Sequence, residues 1–76
     1  MLSSIPTNPD ALLTREQTSK ALTESGFPTA VSTLAGMVSR GGGPLYQHFG
    51  RKPLYRWGDV LAWAQARLTA GVTMSE

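Results

Sequence analysis

The sequence contains no cysteine and only one histidine, His48, among its 76 residues. Disulfide bonds and thiolate metal sites are therefore excluded, and a lone histidine without nearby carboxylates does not make a zinc site. No apolar run approaches the ~20 residues that span a membrane, and the first ten residues lack the basic start and apolar stretch of a signal peptide. We expect a cytoplasmic protein that needs no metal, no cofactor and no membrane.

Groups that would support catalysis are also scarce. The chain has no cysteine nucleophile, no pair of carboxylates at a useful spacing, and no serine with an evident histidine and aspartate partner. The run Gly41–Gly43 is not a phosphate-binding loop, because no Gly-Lys-Ser/Thr follows it and no strand is predicted before it. We therefore expect no enzymatic activity.

Acidic residues are few, and they are missing from part of the second half of the chain. The net charge is +2, from seven basic and five acidic residues. Arg40, Arg51, Lys52 and Arg56 lie in a stretch that contains no acid. A local basic stretch in a small domain points to a polyanionic partner, although a solvated basic loop explains the charge pattern equally well.

The chain is long enough for one small domain, which we place at residues 12–70. Residues 1–11 carry two prolines and no hydrophobic periodicity, and are expected to form a flexible arm. Residues 71–76 are expected to be a frayed tail. Leu12 and Leu13 are predicted to form a hydrophobic staple ahead of the first helix.

Two helices joined by a short turn are predicted in the first half of the domain. Thr14 with Gln17 has the spacing of a capping box, so the first helix should begin at Thr14, and Gly26 should end it. The second helix lies within Pro28–Arg40, with Thr29 as its cap and an apolar row at Val31, Leu34 and Val38. A helix, a short glycine-containing turn and a second helix form the helix-turn-helix pattern.

A β-hairpin and a third helix are predicted after the glycine run. Two short aromatic-rich segments flank Gly50, Arg51 and Lys52, which places both cations at the hairpin tip. Apolar residues then recur at helical spacing from Trp57, and the last helix should end near Thr69 or Ala70. The aromatic side chains expected to pack in the core are Tyr46, Tyr55, Trp57 and Trp63.

Several short segments occur in an order and spacing that match a known family. They are Leu13–Gln17, Ser32–Leu34, Arg40, Gly43–Pro44, Phe49–Lys52, Tyr55–Arg56, Asp59–Val60 and Ala62–Trp63. In this arrangement the chain resembles the compact MerR-like winged helix-turn-helix domains of excisionases, also called recombination directionality factors, and of AlpA-type regulators. The fold expected on this basis is mainly α, with three helices and a small two-stranded β-hairpin as the wing.

This resemblance implies a double-stranded DNA-binding protein without chemistry of its own. As an excisionase of a phage or other mobile genetic element, it would bind and bend attachment-site DNA as several neighbouring copies, and would help a site-specific integrase to excise the element. A small transcriptional regulator is the alternative, and a protein-interaction module that uses its aromatic last helix is a further one. Either DNA-binding role would associate the protein with the nucleoid.

The candidate DNA-binding residues are Thr29, Ser32, Thr33, Arg40, Arg51, Lys52 and Arg56. On the second helix, the hydroxyls would approach phosphates or base edges, although a helix cap and a solvated face explain the same residues. Arg40 would clamp a phosphate, complement the helix dipole, or do both. Arg51 and Lys52 would enter or grip the minor groove, unless they only protect a strand edge from aggregation. Arg56 would brace the base of the wing on a phosphate.

The middle of the second helix departs from the family pattern. Such domains often carry larger polar or basic side chains there, whereas this chain has Ala35, Gly36 and Met37. Fewer side chains can then reach base edges, so the expected contacts shift toward phosphates and DNA shape.

Overall fold

Three helices and a three-stranded antiparallel sheet make up the part of the protein that the computed structural model describes, residues 5–68. In chain order the elements are β1 (Leu12–Leu13), α1 (Arg15–Glu24), α2 (Val31–Arg40), β2 (Gln47–Phe49), β3 (Lys52–Arg56) and α3 (Trp57–Ala66). The predicted helices and hairpin are confirmed, and the sheet has one strand more than predicted.

Helix α1 begins and ends where local sequence signals place its limits. The Thr14 N–H donates to Gln17 Oε1 at 2.9 Å, and the Gln17 N–H donates to Thr14 Oγ1 at 3.2 Å. This reciprocal capping box satisfies two N–H groups that the helix itself leaves unpaired. Beyond Ser25, Gly26 has a φ of +96°, a conformation that glycine adopts without steric cost.

The N-cap of helix α2 lies one residue later than predicted. Ala30 is the N-cap, and no side chain makes a capping hydrogen bond there. Thr29 was expected in this role, but its hydroxyl donates to the Phe27 carbonyl at 2.9 Å, inside the turn. The prediction was wrong because a threonine hydroxyl can bond to nearby turn backbone as readily as to a helix end.

Strand β3 is the centre of the sheet, in the order β1-β3-β2. Leu12 pairs with Arg56 and Leu13 with Tyr55, so the two leucines form a short strand instead of the predicted staple. Their side chains point to opposite faces, as in any strand. Leu13 is therefore buried, whereas Leu12 is 51% exposed.

The hairpin between β2 and β3 closes with a two-residue turn, Gly50-Arg51. Gly50 has a φ of +65° and Arg51 does not have a positive φ, which fits a type II′ turn with glycine at its first central position. Pro53 lies opposite His48, in the part of β3 that β1 does not reach. A proline is tolerated there because that part of the strand has only one partner.

Strand β3 continues into α3 without a loop, because Arg56 ends the strand and is also the N-cap of the helix. The Trp57 N–H donates to the Ala11 carbonyl at 2.9 Å, and the Gly58 N–H donates to the Pro9 carbonyl at 2.8 Å. Residues 8–11, which were expected to belong to a flexible arm, therefore cap α3. The prediction missed this contact because it joins segments far apart in the sequence.

Helix α3 ends at Ala66, earlier than the predicted Thr69 or Ala70, which lie outside the described residues together with the predicted tail. The N–H groups of Arg67 and Leu68 donate to the carbonyls three residues before them, and such bonds tighten the last turn of a helix. Within residues 5–68, no helix has the length and apolar character needed to cross a membrane.

The core lies between α1, α3 and the inner face of the sheet. Its buried side chains are Leu13, Ala21, Leu22, Tyr55, Trp57, Val60 and Ala64. Phe27 and Trp63 pack against it while remaining partly exposed. Of the four aromatic residues predicted to be core, Tyr55 and Trp57 are buried, but Tyr46 is 37% exposed. Tyr46 reaches only the margin, where its ring lies 6.0 Å from that of Tyr55.

Replacing Thr14 with alanine should lower the free energy of unfolding by about 1 kcal/mol, because the cap of α1 loses its side-chain acceptor. Chemical denaturation monitored by circular dichroism measures the change. Thr14→Ser is the matched control, since it keeps a hydroxyl at the same position. Equal destabilisation by both substitutions would show that the capping bond does not stabilise α1.

Candidate nucleic-acid interface

The first turn of α2 presents short side chains to the solvent. Val31 is 37% exposed, and Ser32 and Thr33 are also exposed. Leu34 is the one fully buried residue of the helix, so the predicted apolar row of Val31, Leu34 and Val38 is buried only in the middle. Since no side chain caps α2, its first N–H groups can be satisfied from outside the protein.

The far end of α2 carries Arg40, whose guanidinium lies back along the helix over Gly36. A Cβ atom at Gly36 would be 2.7 Å from Nη1 of Arg40. Ser32, Gly36 and Arg40 are spaced four residues apart and share one helix face. Gly36 thus leaves room for a positive charge to lie flat against a face of small side chains.

The hairpin end carries two exposed cations, Arg51 in the turn and Lys52 at the start of β3. Lys52 pairs with Phe49 across the ladder, so both side chains stand on the same face of the hairpin. The sequence has no aspartate or glutamate between Glu24 and Asp59. Helix α2 and the whole hairpin are consequently free of negative side chains.

A cavity of about 330 Å³ links the turn end of the hairpin to the starts of α1 and α2. Its lining residues are Thr14, Arg15, Glu16, Val31, Lys52 and Pro53. Lys52 is thus near the first residue of α2, although the two are distant in the sequence. Two predicted features, the exposed first turn of α2 and a hairpin cation, therefore lie beside the start of α1 on one side of the molecule.

Arg15 is the residue at this cavity that sequence reasoning missed. Its Nε atom is buried and has no hydrogen-bond partner among the described residues. Arg15 is the first residue of α1, where the helix dipole disfavours a positive charge. The sequence does contain a signal for Arg15. It places a cation, followed by Glu16, at a helix start where a positive charge is unfavourable.

Arg56 has a different environment from the one predicted. Its Nη2 lies 2.6 Å from Asp10 Oδ1, and its Nη1 lies 3.0 Å from Asp59 Oδ1. The hydrogen bond to Asp10 is the main cause that raises the pKa of the Arg56 guanidinium; desolvation opposes it, and the charges of Asp10 and Asp59 add to the rise. Two carboxylates already balance this charge, so Arg56 joins residues 8–11 to α3 and has less charge to offer a phosphate.

Thr29 is also occupied within the fold. In addition to its hydroxyl bond to Phe27, its carbonyl accepts a hydrogen bond from Ser19 Oγ at 2.5 Å. The residue therefore fixes the turn between α1 and α2, and the exposed hydroxyls of α2 begin at Ser32.

A second cavity, also of about 330 Å³, lies between the later turns of α2 and the hairpin. Leu34, Met37 and Val38 line it from α2, and Tyr46 and Tyr55 line it from the hairpin. The glycine run borders the cavity and is held at Gly42, whose carbonyl accepts a hydrogen bond from Trp63 Nε1 at 2.8 Å. This bond connects the exit of α2 to α3.

No group of three histidine, aspartate or glutamate side chains that could hold a metal ion occurs between residues 5 and 68. No protein-family model, curated protein or solved structure matches the chain.

Replacing Gly36 with alanine should raise the free energy of unfolding by up to about 1 kcal/mol, because alanine has the higher helix propensity. The only close contacts of the new Cβ would be with the end of the Arg40 side chain, which can rotate away. Chemical denaturation measures the gain, and the Nε–H resonance of Arg40 reports the movement of its guanidinium.

Gly26→Ala is the matched control, since it adds the same methyl group in open space but at a φ of +96°. It should destabilise the protein by about 1 kcal/mol, the cost of a left-handed conformation for a residue with a Cβ. A loss of stability in Gly36→Ala comparable to that in Gly26→Ala would contradict the expected freedom of Arg40.

Proposed function

We propose that the protein binds double-stranded DNA as a winged helix-turn-helix domain, with α2 as the recognition helix and the β2–β3 hairpin as the wing. The observation that carries this proposal is the cavity where Val31 of α2, Arg15 of α1 and Lys52 of the hairpin meet. A duplex lying across this side would find an exposed helix start flanked by Arg15 and Lys52, with Glu16 as the one carboxylate in the cavity lining. Phosphates are the ligands that helix N-termini and such cations favour.

The side chains of α2 support a close approach to DNA. Ser32 and Thr33 are short and exposed, and Gly36 has no side chain. These small side chains would let the helix approach the major groove closely, while its uncapped N–H groups approach a phosphate. Hydroxyl groups discriminate poorly between bases, so the helix supplies position more than sequence readout.

The distribution of charge gives the proposal its electrostatic support. Arg40, Arg51 and Lys52 have no carboxylate partner among the described residues, whereas the carboxylates of Asp10 and Asp59 bind Arg56. Asp10 and Asp59 thus lie at the start of α3, and Glu16 is the one carboxylate that lines the cavity, whereas α2 and the hairpin carry no acidic residue. We assign phosphate contacts to Arg15, Arg40, Arg51 and Lys52, and a supporting role to Arg56.

The role we propose is that of an excisionase. A single domain of this size reaches only a few phosphates, so tight binding requires several copies on adjacent sites. Neighbouring copies on attachment-site DNA would bend it for a site-specific integrase. A small transcriptional regulator would use the same surface. The two roles differ in the consequence of DNA binding, which is excision by an integrase in one and a change in transcription in the other.

The double variant Arg51→Ala/Lys52→Ala should bind a DNA duplex much more weakly than the wild type in gel-shift titrations. Each lost phosphate contact should reduce the slope of log affinity against log salt concentration by about 1. Arg15→Ala should reduce this slope in the same way, because we assign its guanidinium to a phosphate.

Arg67→Ala is the matched control for charge. Arg67 lies over the Trp63 ring, about 15 Å along α3 from the start of that helix. It removes one positive charge without touching the proposed surface, and its salt slope should equal that of the wild type. Equal slopes for all variants would overturn the assigned surface, and a wild type that does not bind DNA even at low ionic strength would overturn the function.

Loss of the protein should reduce excision of the mobile element that encodes it, because the integrase would lack its bent substrate. The measurement is the frequency of excision in cells with and without the protein, with the integrase supplied at a constant level from a separate promoter. Excision that continues unchanged, together with altered transcription near the binding site, would replace the excisionase with the regulator.

A further inference from the structure

Phe49 is the most exposed large hydrophobic residue in the described part of the chain. Its relative exposure is 76%, and it belongs neither to the core nor to the partly buried residues packed against the core. It ends β2, directly before the Gly50-Arg51 turn. An aromatic ring at the end of a two-stranded hairpin gains nothing from packing there, so its contribution to stability is small.

The residues around Phe49 indicate what kind of surface could bind it. Lys52 faces it across the ladder and Arg51 follows it in the turn, and no acidic residue occurs in the hairpin. Alternation along the strands puts Gln47 and Leu54 on the same face as Phe49 and Lys52. An apolar ring flanked by two cations is suited to a surface that is negative at its edges and apolar at its centre. A DNA groove, with phosphates on its walls and stacked bases between them, has this character.

We infer that Phe49 is a wedge that enters the minor groove of DNA and partly inserts between two base pairs. This inference rests on the proposed function and names the residue that would bend the DNA. Arg51 and Lys52 would hold the phosphates on either side, while the ring opens one base step and bends the duplex toward the major groove. Flexible pyrimidine–purine steps accept such a wedge most readily, which adds a preference that the hydroxyls of α2 do not supply.

A ring-closure assay tests the wedge without knowledge of the binding site. Linear DNA of about 120 base pairs is shorter than the persistence length and closes slowly under ligase unless a protein bends it. At low ionic strength and equal occupancy, set by gel shift, the wild type should accelerate closure by about tenfold or more. Phe49→Ala should bind DNA with the same salt slope but accelerate closure by no more than about twofold.

Two further variants make the result specific. Phe49→Leu keeps an apolar wedge and should retain most of the acceleration. Leu45→Ala removes a side chain that is 73% exposed but lies outside the ladder, and it should behave as the wild type does. Circular dichroism should show that all the variants remain folded, because neither position contributes to the core.

The outcomes separate this inference from the function on which it rests. Closure that is equally fast with Phe49→Ala and with the wild type would overturn the wedge and leave DNA binding intact. A wild type that binds DNA but does not accelerate closure would also overturn the wedge. So would a Leu45→Ala variant that loses as much acceleration of closure as Phe49→Ala does. A wild type that fails to shift DNA at low ionic strength would instead remove the proposed function itself.

Discussion

The direct passage from β3 into α3 is the constraint on which the rest of the structure depends. Strand β3 is paired on both sides, buries Tyr55, and becomes α3 at the next residue. With no loop between them, the direction of the helix is fixed by the direction of the strand. The carbonyls of Pro9 and Ala11 accept hydrogen bonds from the first N–H groups of α3, so the chain before the first helix is attached to this strand–helix junction. The hairpin and α1 are therefore both positioned relative to one rigid unit.

The positions of two carboxylates follow from this strand–helix junction. Asp10 reaches Arg56 only because residues 8–11 pass the start of α3, and Asp59 reaches it from the first turn of that helix. Of the carboxylates in residues 5–68, these two are kept at the base of the hairpin, away from its cationic end. The same contacts that stabilise the fold thus also hold these two carboxylates away from the hairpin tip and α2. Stability and the proposed electrostatic surface have a common origin.

The sequence could predict the features that depend on close neighbours along the chain. The capping box of Thr14, the stop at Gly26 and the hairpin turn each involve residues within a few positions of one another. It could not predict the third strand, which pairs residue 12 with residue 56, or the bonds between residues 8–11 and α3. The same distinction applies to the candidate surface. Ser32, Arg51 and Lys52 could be predicted from the residues close to them in the sequence. The proximity of Arg15 to Lys52 is visible only after the chain has folded.

The pairing of β1 with β3 also governs the order in which the domain can form. Helices α1 and α2 can fluctuate into shape locally, but Leu12 and Leu13 find their partners only after Tyr55 and Arg56 are available. Closing a loop of this length costs conformational entropy before the β1–β3 contacts can compensate for it, and the closed sheet then completes the core. During synthesis on the ribosome the sheet therefore cannot close until residues 52–56 have emerged, so the core is completed late.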